Sequence, residues 1–196
     1  RVASNGGLRA GKSSLYEGGI HVPGIIRWPE ITTEKKVIET SAGLVDIVPT
    51  VCDLLQIDPP KNLDGTSILP LLKGEPFERS KPLYWFFYRT VPEIALRVGN
   101  HMVFGLDNDT VHRTHQYALK DAEYISSMTL KDYELYNLKD DFSQQKDIFK
   151  NHPEKDTLKA LIDNQLIEIQ SNLYPWKELP ELLESRHKVK TGWAAF

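Results

Sequence analysis

Two patterns of apolar and polar residues divide the first part of the chain. Between residues 44 and 55 the apolar positions recur at three- and four-residue spacing, which predicts an amphipathic helix. Asp46 is predicted to cap its start, Pro49 fits its first turn, and Asp58-Pro59-Pro60 ends it. Residues 22–28 instead form a short β-branched and apolar run bounded by proline, which predicts a short buried strand.

The second part of the chain has the pattern of a β-sheet with a helix packed on it. Residues 83–88 are almost all aromatic, a composition typical of strands. Residues 94–98 and 101–106 predict a hairpin with a Gly-Asn turn, and residues 133–138 predict a last strand. Pro153 is predicted to open a helix. That helix carries an apolar stripe formed by Leu158, Leu161, Ile162, Leu166 and Ile169. The sequence therefore predicts an antiparallel sheet of about four strands with a packed helix.

The composition excludes several classes of function. The chain has 196 residues, a net charge of -3 and a sequence pI of about 6.1, which argues against a nucleic-acid partner. No apolar run approaches the ~20 residues that span a bilayer, so no membrane span is expected. A single cysteine, Cys52, allows no intrachain disulfide and no multi-cysteine metal site. It is predicted to be a buried helix residue.

The candidate chemistry is concentrated in a glycine-rich stretch, residues 8–23. Gly11, Gly18 and Gly19 permit backbone angles or close approaches that a Cβ would forbid. Among them lie the cation Lys12, an anion and an imidazole. Lysine is a compact point charge with three donors, so it suits a loop that wraps an anion. A solvated surface lysine is the alternative interpretation for such a loop taken by itself.

Several sequence blocks follow one another in a fixed order around this stretch. Residues 9–12 read Arg-x-Gly-Lys, residues 16–23 read Tyr-Glu-Gly-Gly-x-x-x-Pro, and residues 24–29 read Gly-Ile-Ile-Arg-Trp-Pro. Further blocks cover residues 44–55 and 63–74, and looser ones cover residues 97–99 and 133–138. In this order the blocks resemble the sulfatase family of arylsulfatase-like sulfuric ester hydrolases, which has an alkaline-phosphatase-type fold.

The resemblance implies roles for the residues of the glycine-rich stretch. Lys12 matches the catalytic and substrate-binding lysine, which contacts a sulfate oxygen and neutralises charge on the ester. Glu17, Gly18 and Gly19 match residues that support the loop structurally. His21 stands where the family often has arginine, and it is a second candidate for substrate binding.

The resemblance also implies where the rest of the active site lies. The family uses a formylglycine nucleophile and a calcium ion, and both sites are expected upstream of this fragment, in the parent protein. No metal ligand is expected here: Cys52 lacks the formylglycine context, and Asn5 is too close to Lys12 to be the family's metal-binding asparagine. The expected fold is an α+β fragment. Residues 1–75 would form the end of an α/β sulfatase domain, with the predicted strand, helix and Lys12 loop, and residues 76–196 a C-terminal subdomain.

The expected function follows from that assignment. The parent protein would hydrolyse sulfate esters of a small molecule or glycan, in a periplasmic, secreted or lysosomal-type compartment, while the isolated fragment would be inactive. Exposed apolar residues of the interrupted sheet would favour self-association of the fragment. Two alternatives remain open: a phosphodiesterase or phosphonate hydrolase of the same superfamily, and a non-catalytic carbohydrate-binding module suggested by the aromatic strands.

Overall fold

A four-stranded antiparallel sheet forms the centre of the molecule. The structure is a computed structural model that describes residues 4–32, 34–89, 91–108 and 119–173. The strands are β1 (Leu83–Phe87), β2 (Glu93–Val98), β3 (His101–Leu106) and β4 (Asp132–Asn137). They lie in the order β1-β2-β3-β4, and each pairs antiparallel with the next. The predicted sheet of about four antiparallel strands is confirmed.

Helices flank the sheet in sequence and in space. They are α1 (Glu17–Ile20), α2 (Ile47–Leu55), α3 (Leu69–Lys73), α4 (Leu119–Ser127) and α5 (Lys155–Ser171), with short 3-10 helices at Leu44–Asp46 and Phe149–Asn151. The helix predicted over residues 44–55 is confirmed as a 3-10 turn that runs into α2. Pro153 precedes α5 instead of opening it, because the first helical residue is Lys155. In the described part of the chain, no helix combines the length and apolarity needed to cross a bilayer.

Both faces of the sheet are covered, which explains why β2 and β3 are apolar at consecutive positions. One face packs against α5, and its buried cluster is Ile94, Leu96, Val103, Met128, Leu135, Leu158, Ile162 and Leu166. The opposite face forms a second cluster of Leu15, Tyr16, Ala95, Met102, Phe104, Leu106, Tyr136 and Leu138. Successive side chains of a strand point to opposite faces, so neighbours such as Ile94 and Ala95 fall into different clusters. The stretch that contains Lys12 therefore packs on the face opposite α5.

The strand predicted for residues 22–28 is wrong. These residues adopt no regular secondary structure, and Val22, Ile25 and Ile26 are 70%, 95% and 50% exposed. A strand is stable only when its backbone groups pair with a neighbouring strand, and the sheet in the described residues contains only β1 to β4. The segment has the apolar composition of a strand, but it lacks the burial of one.

Asp46 occupies the predicted position before α2 but makes no side-chain cap to that helix. Its buried carboxylate accepts hydrogen bonds from the backbone N–H groups of Gly43 and Thr66, at 2.8 and 2.9 Å. Arg79 donates two more, at 3.0 and 2.6 Å. Asp46 thus joins three separate segments, because a bidentate guanidinium and two backbone donors satisfy a buried carboxylate better than one helix end can.

The domain boundary between residues 75 and 76 stays a prediction. Side chains from both sides of it share one core, since Leu15 and Tyr16 pack against β2, β3 and β4. Residues 174–196, which the sequence assigns to the second domain, lie outside the described residues.

Candidate functional site

Lys12 lies at an exposed position in a loop with an unusual backbone. The residues on either side of the Gly11-Lys12 pair have left-handed backbone angles, with φ of 62° at Ala10 and 72° at Ser13. Neither is glycine, so each conformation is strained and must be imposed by the surroundings. The side-chain amide of Asn5 donates to the carbonyl of Ala10, which gives Asn5 a local structural contact. Within the described residues the Lys12 ammonium has no ion-pair partner.

Gly18 and Gly19 allow α1 to pack directly against the backbone of this loop. A Cβ on Gly18 would lie 2.4 Å from the carbonyl oxygen of Arg9 and 2.6 Å from that of Ala10. A Cβ on Gly19 would lie 2.1 Å from the carbonyl oxygen of Ser14. Any side chain at either position would therefore push the loop away from the helix. The positive φ angles of the loop, in contrast, do not fall on its glycines.

Glu17 is a buried carboxylate, 2% exposed, beneath the loop. Its Oε2 lies 3.0 Å from Nδ1 of His21, and its Oε1 lies 3.9 Å from Nη1 of Arg97 in β2. Because a carboxylate can only accept, Nδ1–H of His21 donates this bond, and Nε2 is left for another partner. The half-exposed ring of His21 also contacts Phe142 edge to face, with centroids 5.2 Å apart.

Arg9 connects the start of the loop to β4. Its guanidinium stacks 3.8 Å above the ring of Tyr16 and donates to the hydroxyls of Tyr16 and Tyr136. Both hydroxyls in turn donate to Oε2 of Glu134, at 2.6 and 2.7 Å. Burial, followed by these bonds to Glu134, raises the pKa of both tyrosines, so they remain donors at any physiological pH. The cation, the carboxylate and the two hydroxyls form one closed network.

Two further contacts hold the loop after Lys12. The backbone N–H of Leu15 donates to Oε1 of the buried Glu93 at 2.9 Å. The backbone N–H of Glu17 donates to Oε1 of the buried Gln144 at 2.7 Å, and the carbonyl of Gln144 accepts from Arg9 at 3.2 Å. Burial raises the pKa of Glu93, with the Leu15 hydrogen bond acting in the opposite direction.

The structure thus brings the predicted site residues into one unit. Lys12 is on the loop, Gly18 and Gly19 are at its contact with α1, and Glu17 pairs with His21. Sequence reasoning missed the residues that hold this unit: Arg9, Glu93, Glu134, Tyr136 and Gln144. A charged residue within an apolar strand pattern, as at Glu93 and Glu134, was the available signal for two of them.

The described residues do not provide a metal site of the kind that the sulfatase resemblance implies. They contain no group of three or more His, Cys, Asp or Glu side chains arranged to hold an ion. Cys52 is buried in α2, as predicted.

Comparisons with known proteins identify the family of this chain. Residues 10–172 match the family model described as N-sulphoglucosamine sulphohydrolase, C-terminal. The match covers most of the chain, which therefore belongs to the sulfatase family and corresponds to the C-terminal portion of its members.

Individual relatives show the same relationship. Human steryl-sulfatase is 39% identical over 87 residues, which cover 43% of this chain and 15% of that protein. A sulfatase from Formosa agariphila is 27% identical over 167 residues, covering 79% of this chain and 27% of that protein. The chain thus spans less than a third of the length of these relatives.

A solved structure from Bacteroides thetaiotaomicron, from work on the metabolism of multiple glycosaminoglycans, has a similar fold. Its TM-score is 0.54 at 24% identity, and the similarity covers 85% of this chain and 32% of that chain.

Proposed function

We propose that this chain is the C-terminal part of a sulfuric ester hydrolase in which Lys12 binds the sulfate group. The family match over residues 10–172 carries the proposal. The exposed ammonium of Lys12, on a loop with strained and anchored backbone, supports it, because such a loop holds a charge in one place.

Lys12 would act on the charge of the ester. A sulfate ester carries its negative charge on oxygens, and an ammonium within hydrogen-bond reach stabilises both the bound ester and the charge that develops during cleavage. His21 would supply a second contact through Nε2, since Nδ1 is held by Glu17. Glu17, Gly18 and Gly19 would act through the loop and not on the substrate.

We do not assign the nucleophile or the metal of the family's chemistry to this chain. In sulfatases a formylglycine supplies the nucleophile and calcium polarises the sulfate group. The described residues do not fit a metal, and Cys52 is buried, so we assign both components to the upstream part of the enzyme. We accordingly expect the isolated chain to hydrolyse no sulfate ester above background.

The substrate class that we favour is a sulfated sugar. The match to the family named for N-sulphoglucosamine runs through the sheet to the end of α5, whereas the steryl-sulfatase similarity covers 43% of the chain. We place the enzyme in a periplasmic, secreted or lysosomal-type compartment, as is usual for the family.

The test is steady-state kinetics of the full-length enzyme with a chromogenic sulfate ester and a sulfated amino sugar. Lys12→Ala should lower kcat/KM by about a hundred- to a thousand-fold, the effect of removing one preorganised contact to a developing charge. Lys12→Arg should restore only part of this loss, because its planar fork is larger than an ammonium. Thermal melts of both variants should match the wild type, since Lys12 is exposed.

Lys139→Ala is the matched control, because Lys139 is also exposed but lies in the turn after β4. Near-wild-type kcat/KM in Lys12→Ala would identify Lys12 as a solvated surface lysine. Faster hydrolysis of a phosphodiester or phosphonate ester than of any sulfate ester would instead favour the related hydrolases. Sugar binding without turnover would favour a carbohydrate-binding module.

A further inference from the structure

The loop that carries Lys12 is held on both sides of the lysine by residues far away in the sequence. We name these contacts the loop clamp, which consists of Arg9 at the start of the loop and the distant residues Glu93, Glu134, Tyr136 and Gln144. Before Lys12, Arg9 bonds to Tyr136 and Gln144; after it, the backbone N–H groups of Leu15 and Glu17 bond to Glu93 and Gln144. We propose that the loop clamp positions Lys12 for catalysis, with Gln144 as its central positioning residue.

Gln144 reaches both sides of the loop directly. Its main-chain carbonyl accepts from Arg9, and its side-chain Oε1 accepts from the N–H of Glu17. Its side chain is fully buried, so these bonds do not compete with water. Any displacement of Gln144 would therefore move both ends of the segment that contains Lys12.

The conformation of Gln144 is costly in two ways. Its φ is 53°, a left-handed angle that glycine or asparagine adopts more readily than glutamine. Its buried Nε2 has no hydrogen-bond partner among the described residues. Strained and unsatisfied groups persist where the surroundings over-determine them, and they concentrate at functional sites. A residue selected for stability alone would avoid both features.

The loop itself needs such an external constraint. Ala10 and Ser13 hold left-handed angles that their own side chains disfavour, and Lys12 lies between them. Without the clamp these residues would relax to ordinary angles, and the ammonium would move with the backbone. A displacement of about 1 Å is enough to lower a rate roughly a hundredfold.

This inference rests on the proposed function, and a double-mutant cycle in the full-length enzyme separates the two. Gln144→Asn is the informative change, because asparagine suits the left-handed angle but its amide is one methylene too short to reach Glu17. It should lower kcat/KM for the sulfate ester by about ten- to a hundredfold. In a Lys12→Ala background the same change should alter kcat/KM by no more than about twofold, since the clamp acts through Lys12.

Two controls distinguish positioning from a general loss of structure. Gln145→Asn makes the same change at the adjacent, exposed glutamine and should leave kcat/KM unchanged. Leu166→Ala opens the core on the other face of the sheet, so it should lower Tm without changing kcat/KM well below the melt. Arg9→Lys provides a second clamp variant for the cycle if Gln144→Asn does not fold.

Each outcome has a definite meaning. Wild-type kcat/KM in Gln144→Asn, beside a large loss in Lys12→Ala, overturns the clamp and leaves the proposed function standing. Additive losses in the double variant also overturn it, because they show that Gln144 acts independently of Lys12. Wild-type activity in Lys12→Ala removes the proposed site itself.

Discussion

The substitution Gly19→Ala tests the packing of α1 against the Lys12 loop. The added Cβ would lie 2.1 Å from the carbonyl oxygen of Ser14, whereas real Cβ contacts stay above 3.0 Å. The loop must therefore retreat by about 0.9 Å, the difference between these distances. The carbonyl oxygen of Gly11, 2.6 Å away, blocks an alternative shift. Both obstacles are backbone atoms, so no side-chain rotation relieves the clash.

The energetic balance favours destabilisation. Alanine gains about 1 kcal/mol over glycine from helix propensity, but α1 is a single turn and realises little of this. Overpacking typically costs about 1–3 kcal/mol. Each kcal/mol corresponds to roughly 2–4 °C in Tm for a domain of this size. Because Gly11 and Ser14 flank Lys12, we also expect kcat/KM of the full-length enzyme to fall by up to about a hundredfold.

Differential scanning calorimetry and sulfate ester kinetics on the same preparations measure both effects. Gly24→Ala is the control, since a Cβ there meets no atom within 4 Å. This variant has the same glycine-to-alanine change without the clash, so its Tm and kcat/KM should equal those of the wild type. If Gly19→Ala behaves like Gly24→Ala in both assays, a Cβ at position 19 does not displace the Lys12 loop.

Two further predictions concern buried charge and substrate contact. Burial raises the pKa of Glu93, so the folded state holds its proton more tightly, and stability falls as the pH rises from about 4.3 through the folded pKa. Glu93→Gln keeps an oxygen that accepts from the N–H of Leu15 and carries no charge. The Tm of this variant should equal that of the wild type near pH 4 and exceed it increasingly towards neutral pH. A Tm difference that does not change with pH would contradict this. His21→Arg should keep Tm, because a guanidinium can also pair with Glu17. It should lower KM for the sulfate ester, because a permanent cation then faces the sulfate group. An unchanged KM would place His21 outside the substrate site.

The elements with local signals were predictable from the sequence. The strands β1 to β4, the helix after Asp46 and the apolar stripe of α5 follow from residue periods that need no knowledge of distant contacts. The order of glycines and charges around Lys12 was equally local, and it was sufficient to indicate the sulfatase family. Each of these patterns extends over a short stretch of the chain, so neighbouring residues are sufficient to recognise it.

The tertiary structure alone decided how these elements are constrained. Arg9 meets Tyr136 and Gln144 across 127 and 135 residues, and no local pattern encodes such a pairing. The left-handed angles of the Lys12 loop lie at Ala10 and Ser13, where the sequence has no glycine to indicate them. Residues 22–28 form no strand because no neighbouring strand in the described residues pairs with them. Their composition is that of a strand, but a strand exists only where another strand accepts its hydrogen bonds.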